Sequence, residues 1–192
     1  MILVINLCKE ELHELEFVKP IIDLVKASKK KCIVEHYLRI KPKIIEKADK
    51  IIICGTSLKD FDYLEGKNKF NFLEKTEKPV LGICAGLQLI ALAFGCEVVK
   101  GKEIGLTRVW FDKEFLGVGG EDEKEIDVYD LHNMIVKDDK NLRKNFDVFA
   151  SSLSNTGIVQ TVQAIKHKEK EIYGTLFHPE VRQKGIITKF IE

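Results

Sequence analysis

The architecture of this chain follows from one segment, Val80-Leu81-Gly82-Ile83-Cys84-Ala85-Gly86-Leu87-Gln88-Leu89-Ile90-Ala91-Leu92. Its first four residues form a short apolar run with a β-branched residue at each end, which is typical of a strand covered on both faces of a parallel sheet. The residues after Cys84 favour a helix. The segment therefore predicts a strand that runs into a helix, with Cys84 at the junction.

Short apolar runs and helical patterns alternate through the whole first half of the chain. Further strands are expected at residues 2–5, 32–34 and 51–53, and helical patterns lie at residues 12–25, 44–45 and 70–73. Pro20 should kink or shorten the first helix, because it cannot donate a hydrogen bond to the preceding turn. The alternation predicts an α/β fold of three layers, an open and mostly parallel sheet flanked by helices.

The second half has a different character after Gly101. Strands are expected at residues 103–111, 125–129, 147–152, 158–166 and 171–177, with a closing helix at 185–191. Residues 117–123 contain three glycines and predict a turn. This part should form a smaller antiparallel β portion, and with no repeat or linker in the sequence we expect residues 1–192 to form one domain.

Composition excludes several classes of protein. Lysine and arginine number 31 and aspartate and glutamate 30, a net charge of +1, which argues against a nucleic-acid-binding protein. No apolar run approaches the roughly 20 residues that span a bilayer, and residues 2–7 are too short for a signal peptide. The five cysteines form no Cys-x-x-Cys pair, so neither a zinc site nor a redox dithiol is indicated. We expect a cytoplasmic protein without a metal.

The surroundings of Cys84 set it apart from the other cysteines. Gly82 and Gly86 flank it at two residues on either side, as a sharp strand-to-helix turn requires for close passage of the chain. At the start of a helix the positive end of the dipole favours a thiolate, and the N–H of Ala85 is free to stabilise an oxyanion. The alternative is a buried cysteine of the core.

A nucleophilic cysteine needs a histidine to carry the proton and an acid to orient the imidazole. His178 and Glu180 follow the last expected strand, and Pro179 between them keeps the backbone extended, so both side chains leave on nearly the same side. The alternative is a histidine that caps a strand beside a surface glutamate. Of the other histidines, His132 lies in an expected loop and stays open, and three are expected to be solvated: His13, His36 and His167.

Two segments, Gly82-Ile83-Cys84-Ala85-Gly86-Leu87-Gln88 and Phe177-His178-Pro179-Glu180-Val181, resemble the signature motifs of the class I, or triad-type, glutamine amidotransferases. The resemblance covers nearly the whole chain. It implies the flavodoxin-like fold of that family and a catalytic triad of Cys84, His178 and Glu180.

The resemblance also implies roles for four further residues. Gly55, in Cys54-Gly55-Thr56, corresponds to a glycine whose N–H joins that of Ala85 in the oxyanion hole. Gln88 matches a glutamine that helps to hold the substrate, and His132 lies in a segment that the family places near the substrate. The family's pattern has Gly-Gly-Pro where this chain has Cys54-Gly55-Thr56, and an acid where it has Met134.

Within the family, residues 149–152 and 162–174 are most similar to the glutaminase subunits of GMP synthases. The resemblance implies hydrolysis of L-glutamine to glutamate and ammonia through a Cys84 thioester, with no cofactor for that half-reaction. A separate ATP- and Mg²⁺-using synthetase would receive the ammonia, in a GMP synthase-like conversion of XMP to GMP, and activity should be low until it docks.

Three alternatives stay open. The chain could be a glutaminase-like paralogue that serves another synthetase, or a binding or regulatory module with little turnover, which the departures at Cys54, Thr56 and Met134 suggest. It could also be another cysteine-elbow enzyme. One such class places a histidine directly after the cysteine, where this chain has Ala85, and the α/β-hydrolases place the acid before the histidine.

Overall fold

A computed structural model describes residues 1–121, 123–153 and 160–192. The first half alternates as expected. Its strands are β1 (Ile2–Asn6), β2 (Cys32–His36), β3 (Lys50–Ile53) and β4 (Val80–Ile83). Its α-helices are α1 (Glu14–Phe17), α2 (Lys19–Ala27), α3 (Pro42–Lys47), α4 (Asp62–Glu65) and α5 (Ala85–Ala93), and 3-10 helices span Glu11–His13, Tyr37–Arg39 and Lys67–Glu74.

The second half is dominated by strands, as expected. They are β5 (Val98–Phe111), β6 (Glu125–Val136), β7 (Phe146–Leu153), β8 (Gln160–His167) and β9 (Ile172–Thr175), with the helices α6 (Lys140–Asn145) and α7 (Lys184–Ile191). Parts of two expected elements lie outside the described residues, namely the first two residues of the strand at 158–166 and Asp122 of the turn at 117–123.

The nine strands of the described residues form one sheet in the order β2-β1-β3-β4-β9-β8-β7-β5-β6. The five strands from β2 to β9 run parallel, and the four that follow are antiparallel to their neighbours. The predicted α/β fold, with an antiparallel portion in the second half, is confirmed. The carboxyl ends of β3 and β4 and the segment after β9 meet at one edge of the sheet.

Helices cover both faces of the parallel part, which gives the three predicted layers. On one face Ile21 of α2 and Ile187 of α7 pack with Val4. On the other, Leu89 of α5 and Phe70 pack with Ile5. Adjacent residues of β1 thus face different cores, which explains why its sequence is continuously apolar.

Pro20 acts at the start of a helix. The expected helix at 12–25 is broken at Val18, and Pro20 stands in the first turn of α2, where its missing N–H removes no helical hydrogen bond. The prediction that Pro20 shortens the first helix is confirmed. The apolar cluster at 70–73 forms a 3-10 helix.

Two sequence-based expectations about histidines are wrong. His132 lies within β6, because this strand continues to Val136 rather than ending at Tyr129 as predicted. His167 is buried rather than solvated, since its ring packs against Phe94 and Phe146 and its Nδ1 accepts the N–H groups of Glu169 and Lys170.

None of the helices in the described part of the chain has the length and apolar character that a membrane-spanning helix needs.

Candidate active site

Cys84 occupies a strained backbone position at the junction of β4 and α5. Its φ of 51° and ψ of −103° are rare for a residue with a side chain, and such outliers cluster at functional sites. Its N–H donates to the Thr175 carbonyl oxygen at the end of β9 (2.8 Å), so the turn is tied to the neighbouring strand. The side chain is 3% exposed.

The glycines on either side of Cys84 are required by close contacts. A Cβ on Gly82 would lie 2.6 Å from the carbonyl carbon of Gly86, and one on Gly86 would lie 2.3 Å from the carbonyl oxygen of Ile53. Any side chain at either place would force α5 away from β3 and β4. The spacing of glycine, cysteine and glycine thus has the mechanical basis expected from the sequence.

His178 and Glu180 form a buried pair just beyond β9. The Nδ1 of His178 lies 2.7 Å from Oε1 of Glu180, and the His178 N–H donates to the Tyr129 carbonyl oxygen of β6 (2.8 Å). Burial by itself would lower the pKa of the His178 imidazole, but the charge of Glu180 and then that of Cys84 raise it well above its ordinary value. The imidazole can therefore hold a proton in a buried site.

Gly55, the second residue after β3, lies close to both the imidazole and the cysteine. The position that a Cβ on Gly55 would take is 2.6 Å from Cε1 of His178 and 3.5 Å from Cβ of Cys84. The structure therefore brings together side chains that are far apart in the sequence. The packing also shows why residue 55 has no side chain.

Two backbone N–H groups at this point are free. Within the described residues, neither the N–H of Gly55 nor that of Ala85 donates a hydrogen bond to the protein. Ala85 is the first residue of α5, where N–H groups lack an intrahelical acceptor. Both groups are therefore available to a ligand oxygen.

Two of the three residues that depart from the family's pattern, Cys54 and Thr56, lie in the loop that follows β3. Cys54 is fully buried, and its N–H donates to the Ile5 carbonyl oxygen (3.0 Å). The Thr56 hydroxyl donates to Oδ2 of Asp60 (2.7 Å), which also accepts the Lys9 N–H (3.1 Å). Threonine thus anchors the loop by a buried hydrogen bond where the family's pattern has the rigid ring of a proline.

Gln88 is held by the protein itself. Its Oε1 accepts the Tyr63 hydroxyl, and its Nε2 donates to the Met134 carbonyl oxygen (3.0 Å). The side chain joins α5 to β6 and lines the cavity beside Cys84. One amide hydrogen of Gln88 is left for a substrate.

The cavity at Cys84 is nearly closed. The thiol donates to the Leu131 carbonyl oxygen (3.5 Å), and the cavity that it lines together with Ala85, Gln88 and His132 measures about 20 Å³, room for about one water molecule. Asn133 donates from Nδ2 to the Leu58 carbonyl oxygen (2.9 Å), which joins β6 to the loop after β3. The cavity has no room for a molecule larger than water unless these segments separate.

An open groove adjoins the closed cavity. It has a volume of about 490 Å³ and contains two exposed lysines, Lys100 and Lys102. Three residues line both spaces and form the wall between them: Phe61, Asn133 and Met134. These three side chains separate the groove from the cavity at Cys84.

Sequence reasoning missed the buried Asp130 and the tyrosine that holds Gln88, Tyr63. Asp130 is 0% exposed, and its Oδ2 accepts the Gln163 amide (3.0 Å). A signal was present, because Ile126 and Val128 mark the inward positions of β6, and continuing the alternation places Asp130 and His132 inward too.

Within the described residues no group of three or more His, Cys, Asp and Glu side chains could hold a metal ion.

This chain is similar to several known proteins. One subunit of the glutamine-hydrolyzing GMP synthase of Methanocaldococcus jannaschii is 40% identical over 125 residues, 62% of this chain and 60% of that protein. The protein of the same name from Methanococcus maripaludis strain C5 is 33% identical over 158 residues, 76% and 77% of the two chains. The crystal structure of a Thermoplasma acidophilum protein, provisionally assigned as a GMP synthase subunit, superposes with a TM-score of 0.81 at 28% identity over 99% of this chain and 91% of that one.

The extent of these matches differs between relatives. The chain spans about three fifths of the length of the M. jannaschii relative. The family model described as "Glutamine amidotransferase class-I" matches residues 13–191, which include Gly55, Cys84, His178 and Glu180. This chain belongs to the class I glutamine amidotransferases.

Proposed function

We propose that this chain is a glutaminase subunit, which hydrolyses L-glutamine to glutamate and ammonia with Cys84 as nucleophile. The observation that carries the proposal is the strained cysteine at the start of α5 beside the buried pair of His178 and Glu180. Nucleophile, base and orienting acid are the three groups that an acyl-transfer site needs. The family and the similarity to glutamine-hydrolysing subunits support the same reaction.

The first half of the reaction forms a thioester. His178 takes the thiol proton, and the Cys84 sulfur attacks the side-chain amide carbon of glutamine. The N–H groups of Gly55 and Ala85 stabilise the oxyanion, each by about 3 kcal/mol. His178 then returns its proton to the amide nitrogen, the C–N bond breaks and ammonia leaves.

The second half releases glutamate. Water loses a proton to His178 as it attacks the thioester carbon, and a second oxyanion forms in the same place. When this intermediate collapses, the C–S bond breaks and the proton returns to the sulfur. Glu180 keeps the imidazole oriented and stabilises its charge throughout. General acid–base catalysis of this kind contributes about 10²–10⁴-fold to the rate, and no cofactor enters either half.

We further propose that the ammonia passes to a separate synthetase subunit of the GMP synthase type, which uses ATP and Mg²⁺ to convert XMP to GMP. The names of the relatives support this partner. The closed cavity at Cys84 fits a subunit whose site opens on docking. The five unpaired cysteines fit a reducing, cytoplasmic location.

The same closed cavity favours a second candidate, a glutaminase-like regulatory or binding module with little turnover. A third candidate, a glutaminase-like paralogue serving another synthetase, differs only in the partner.

Glutamate release decides among these candidates. The purified chain is assayed alone and with an archaeal GMP synthase synthetase subunit, ATP, Mg²⁺ and XMP, and Cys84→Ala is the matched control. We expect slow release alone, faster release with the partner and none from the variant. Release unaffected by this partner but raised by another ATP-dependent synthetase identifies the paralogue. No release under any pairing identifies the module.

A further inference from the structure

Behind the proposed site lies a second pair of an acid and an imidazole, Asp130 and His132. Both side chains are inward-facing on β6, and they are 0% and 2% exposed. Oδ1 of Asp130 lies 3.7 Å from Nε2 of His132, and neither atom has a hydrogen-bond partner within the described residues. Buried polar atoms without partners are rare in native proteins and cost free energy.

The tautomer of His132 follows from its other nitrogen. Nδ1 lies 3.0 Å from the Gly101 carbonyl oxygen, and a carbonyl can only accept, so the hydrogen is on Nδ1. In a neutral imidazole Nε2 is then an acceptor. An ionised Asp130 carboxylate also only accepts, so two buried acceptors would face each other. The Thr107 hydroxyl lies beside Asp130, but its one hydrogen could serve only the carboxylate and would leave Nε2 of His132 without a donor.

We propose that Asp130 and His132 hold one proton between them, with the two atoms closing from 3.7 Å to hydrogen-bond distance, and that through the resulting bond Asp130 is the positioning residue for His132 in the wall of the Cys84 cavity. The second oxygen of Asp130 is already fixed, because Gln163 donates from Nε2 to Oδ2 (3.0 Å) and to the Ser152 hydroxyl oxygen (3.0 Å). Oδ1 is thereby aimed at His132. Only the statement about the glutamine cavity rests on the proposed function.

The surroundings place the proton on the carboxyl side. Burial raises the pKa of Asp130 to about 6, and the charge of Glu103 also raises it. Three groups lower it, namely the Thr107 hydroxyl, the Gln163 amide and the charge of His178. Burial lowers the pKa of His132, and the charge of His178 lowers it further. The hydrogen bond to the Gly101 carbonyl and the charge of Glu103 raise it, but by less. Below about pH 6, both directions favour a protonated carboxyl group that donates to Nε2 of a neutral imidazole.

NMR titration of the full chain tests whether Asp130 and His132 share a proton. The carboxyl carbon of Asp130 and the ring nitrogens of His132 are followed against pH, with Asp130→Asn and His132→Gln to assign the signals. Asp127, on the same strand and 43% exposed, is the internal control. We expect the pair to lose its proton about 2 pH units or more above the ordinary value of 3.8 for aspartate. An Asp130 carboxylate ionised by pH 5, with no proton on Nε2, would mean that water bridges the two acceptors, and would overturn the proposal.

The positioning role is tested by comparing Asp130→Leu with Asp130→Asn. Leucine fills the space but leaves Nε2 unpaired, whereas the asparagine amide can donate to it. The variants are assayed below pH 6, where the wild-type pair holds its proton. An unpaired buried acceptor costs about 1–3 kcal/mol, so we expect Asp130→Leu to raise KM for glutamine about 5–150-fold with kcat within about threefold. Asp130→Asn should keep KM within about threefold of wild type.

Equal behaviour of the two variants would refute the positioning role, since simple packing does not distinguish them in this way. If Asp130→Leu does not fold, the titration of the wild-type chain still decides the shared proton. If the wild-type chain lacks glutaminase activity with every partner, the proposed function fails, and the titration remains a separate result.

Discussion

Nδ1 of His178 lies 2.7 Å from Oε1 of Glu180, and the two side chains are 2% and 1% exposed. The Val181 N–H donates to the His178 carbonyl oxygen (3.1 Å), so residues 178–181 form a tight turn with Pro179 and Glu180 at its centre, and this turn brings the carboxylate to the ring. Because Nδ1 bonds to Glu180, Nε2 is left for the thiol of Cys84. In this structure that thiol bonds to Leu131 instead, and Nε2 has no partner among the described residues.

Replacing Glu180 by glutamine should lower glutamate release by about 10²–10⁴-fold, the range of a general acid–base contribution. The amide keeps the size of the side chain but removes the charge that raises the pKa of His178. The pH above which the imidazolium is lost should therefore fall. Steady-state rates between pH 5 and 9 measure both effects, and an unchanged pH profile would show that Glu180 does not control this imidazole.

The same substitution should change the pH dependence of stability. The folded pKa of His178 lies above its ordinary value of 6.5, so the pair contributes stability that is present below that value and lost as pH rises through the folded pKa. Urea unfolding should therefore show that Glu180→Gln costs more free energy at pH 6 than at alkaline pH. An equal cost at both pH values would contradict this linkage.

Gly55→Ala should disable the site, because its Cβ would lie 2.6 Å from Cε1 of His178. Overpacking of this kind costs about 1–3 kcal/mol of stability. We also expect a loss of at least about 10²-fold in kcat, since a displaced ring and a shifted oxyanion donor act together. Gly185→Ala is the matched control, because nothing lies within 4 Å of its added Cβ and it stands in α7, where alanine favours the helix. Comparable damage in both variants would contradict the steric argument.

Cys84→Gly and Cys84→Ala should both abolish glutamate release but differ in stability. Glycine adopts a positive φ without strain, whereas alanine keeps the strain seen at φ 51°. We expect the glycine variant to be more stable by about 1 kcal/mol, less any entropy that glycine adds to the unfolded chain. Thermal and urea unfolding of the two variants measure this, and a more stable alanine variant would show that the turn is unstrained.

Asn133→Ala should raise the glutaminase rate of the chain assayed without a synthetase. The substitution removes the hydrogen bond to the Leu58 carbonyl oxygen that helps to close the cavity at Cys84. A single hydrogen bond contributes about 0.5–1.5 kcal/mol, so we expect a two- to tenfold rise in kcat/KM. Asn141→Ala, on the exposed first turn of α6 and outside both the cavity and the groove, is the control. A lower rate in Asn133→Ala would instead indicate that Asn133 contacts glutamine.

Local patterns were sufficient for the parallel part of the fold. The apolar runs at 2–5, 51–53 and 80–83 became buried strands, because a strand covered on both faces must be apolar at every position, whereas the run at 32–34 became the partly exposed edge strand β2. The prediction failed where the buried positions of an alternating strand carry polar instead of apolar side chains. Asp130 and His132 occupy inward positions of β6, so the strand was predicted to end at Tyr129 although it continues to Val136. The burial of His167 likewise depends on Phe94 and Phe146, which no local pattern connects to it.

The sequence by itself determined the order of strands and helices, the turn at Cys84 and the pairing of His178 with Glu180, because each depends on residues within a few positions of one another. Only the tertiary structure decided that Gly55 lies against both His178 and Cys84, that Leu131 closes the cavity and that Asp130 faces His132. These relationships come from strands that are distant in the chain but share one sheet edge, and from side-chain volumes and unpaired polar atoms that exist only once those strands are packed.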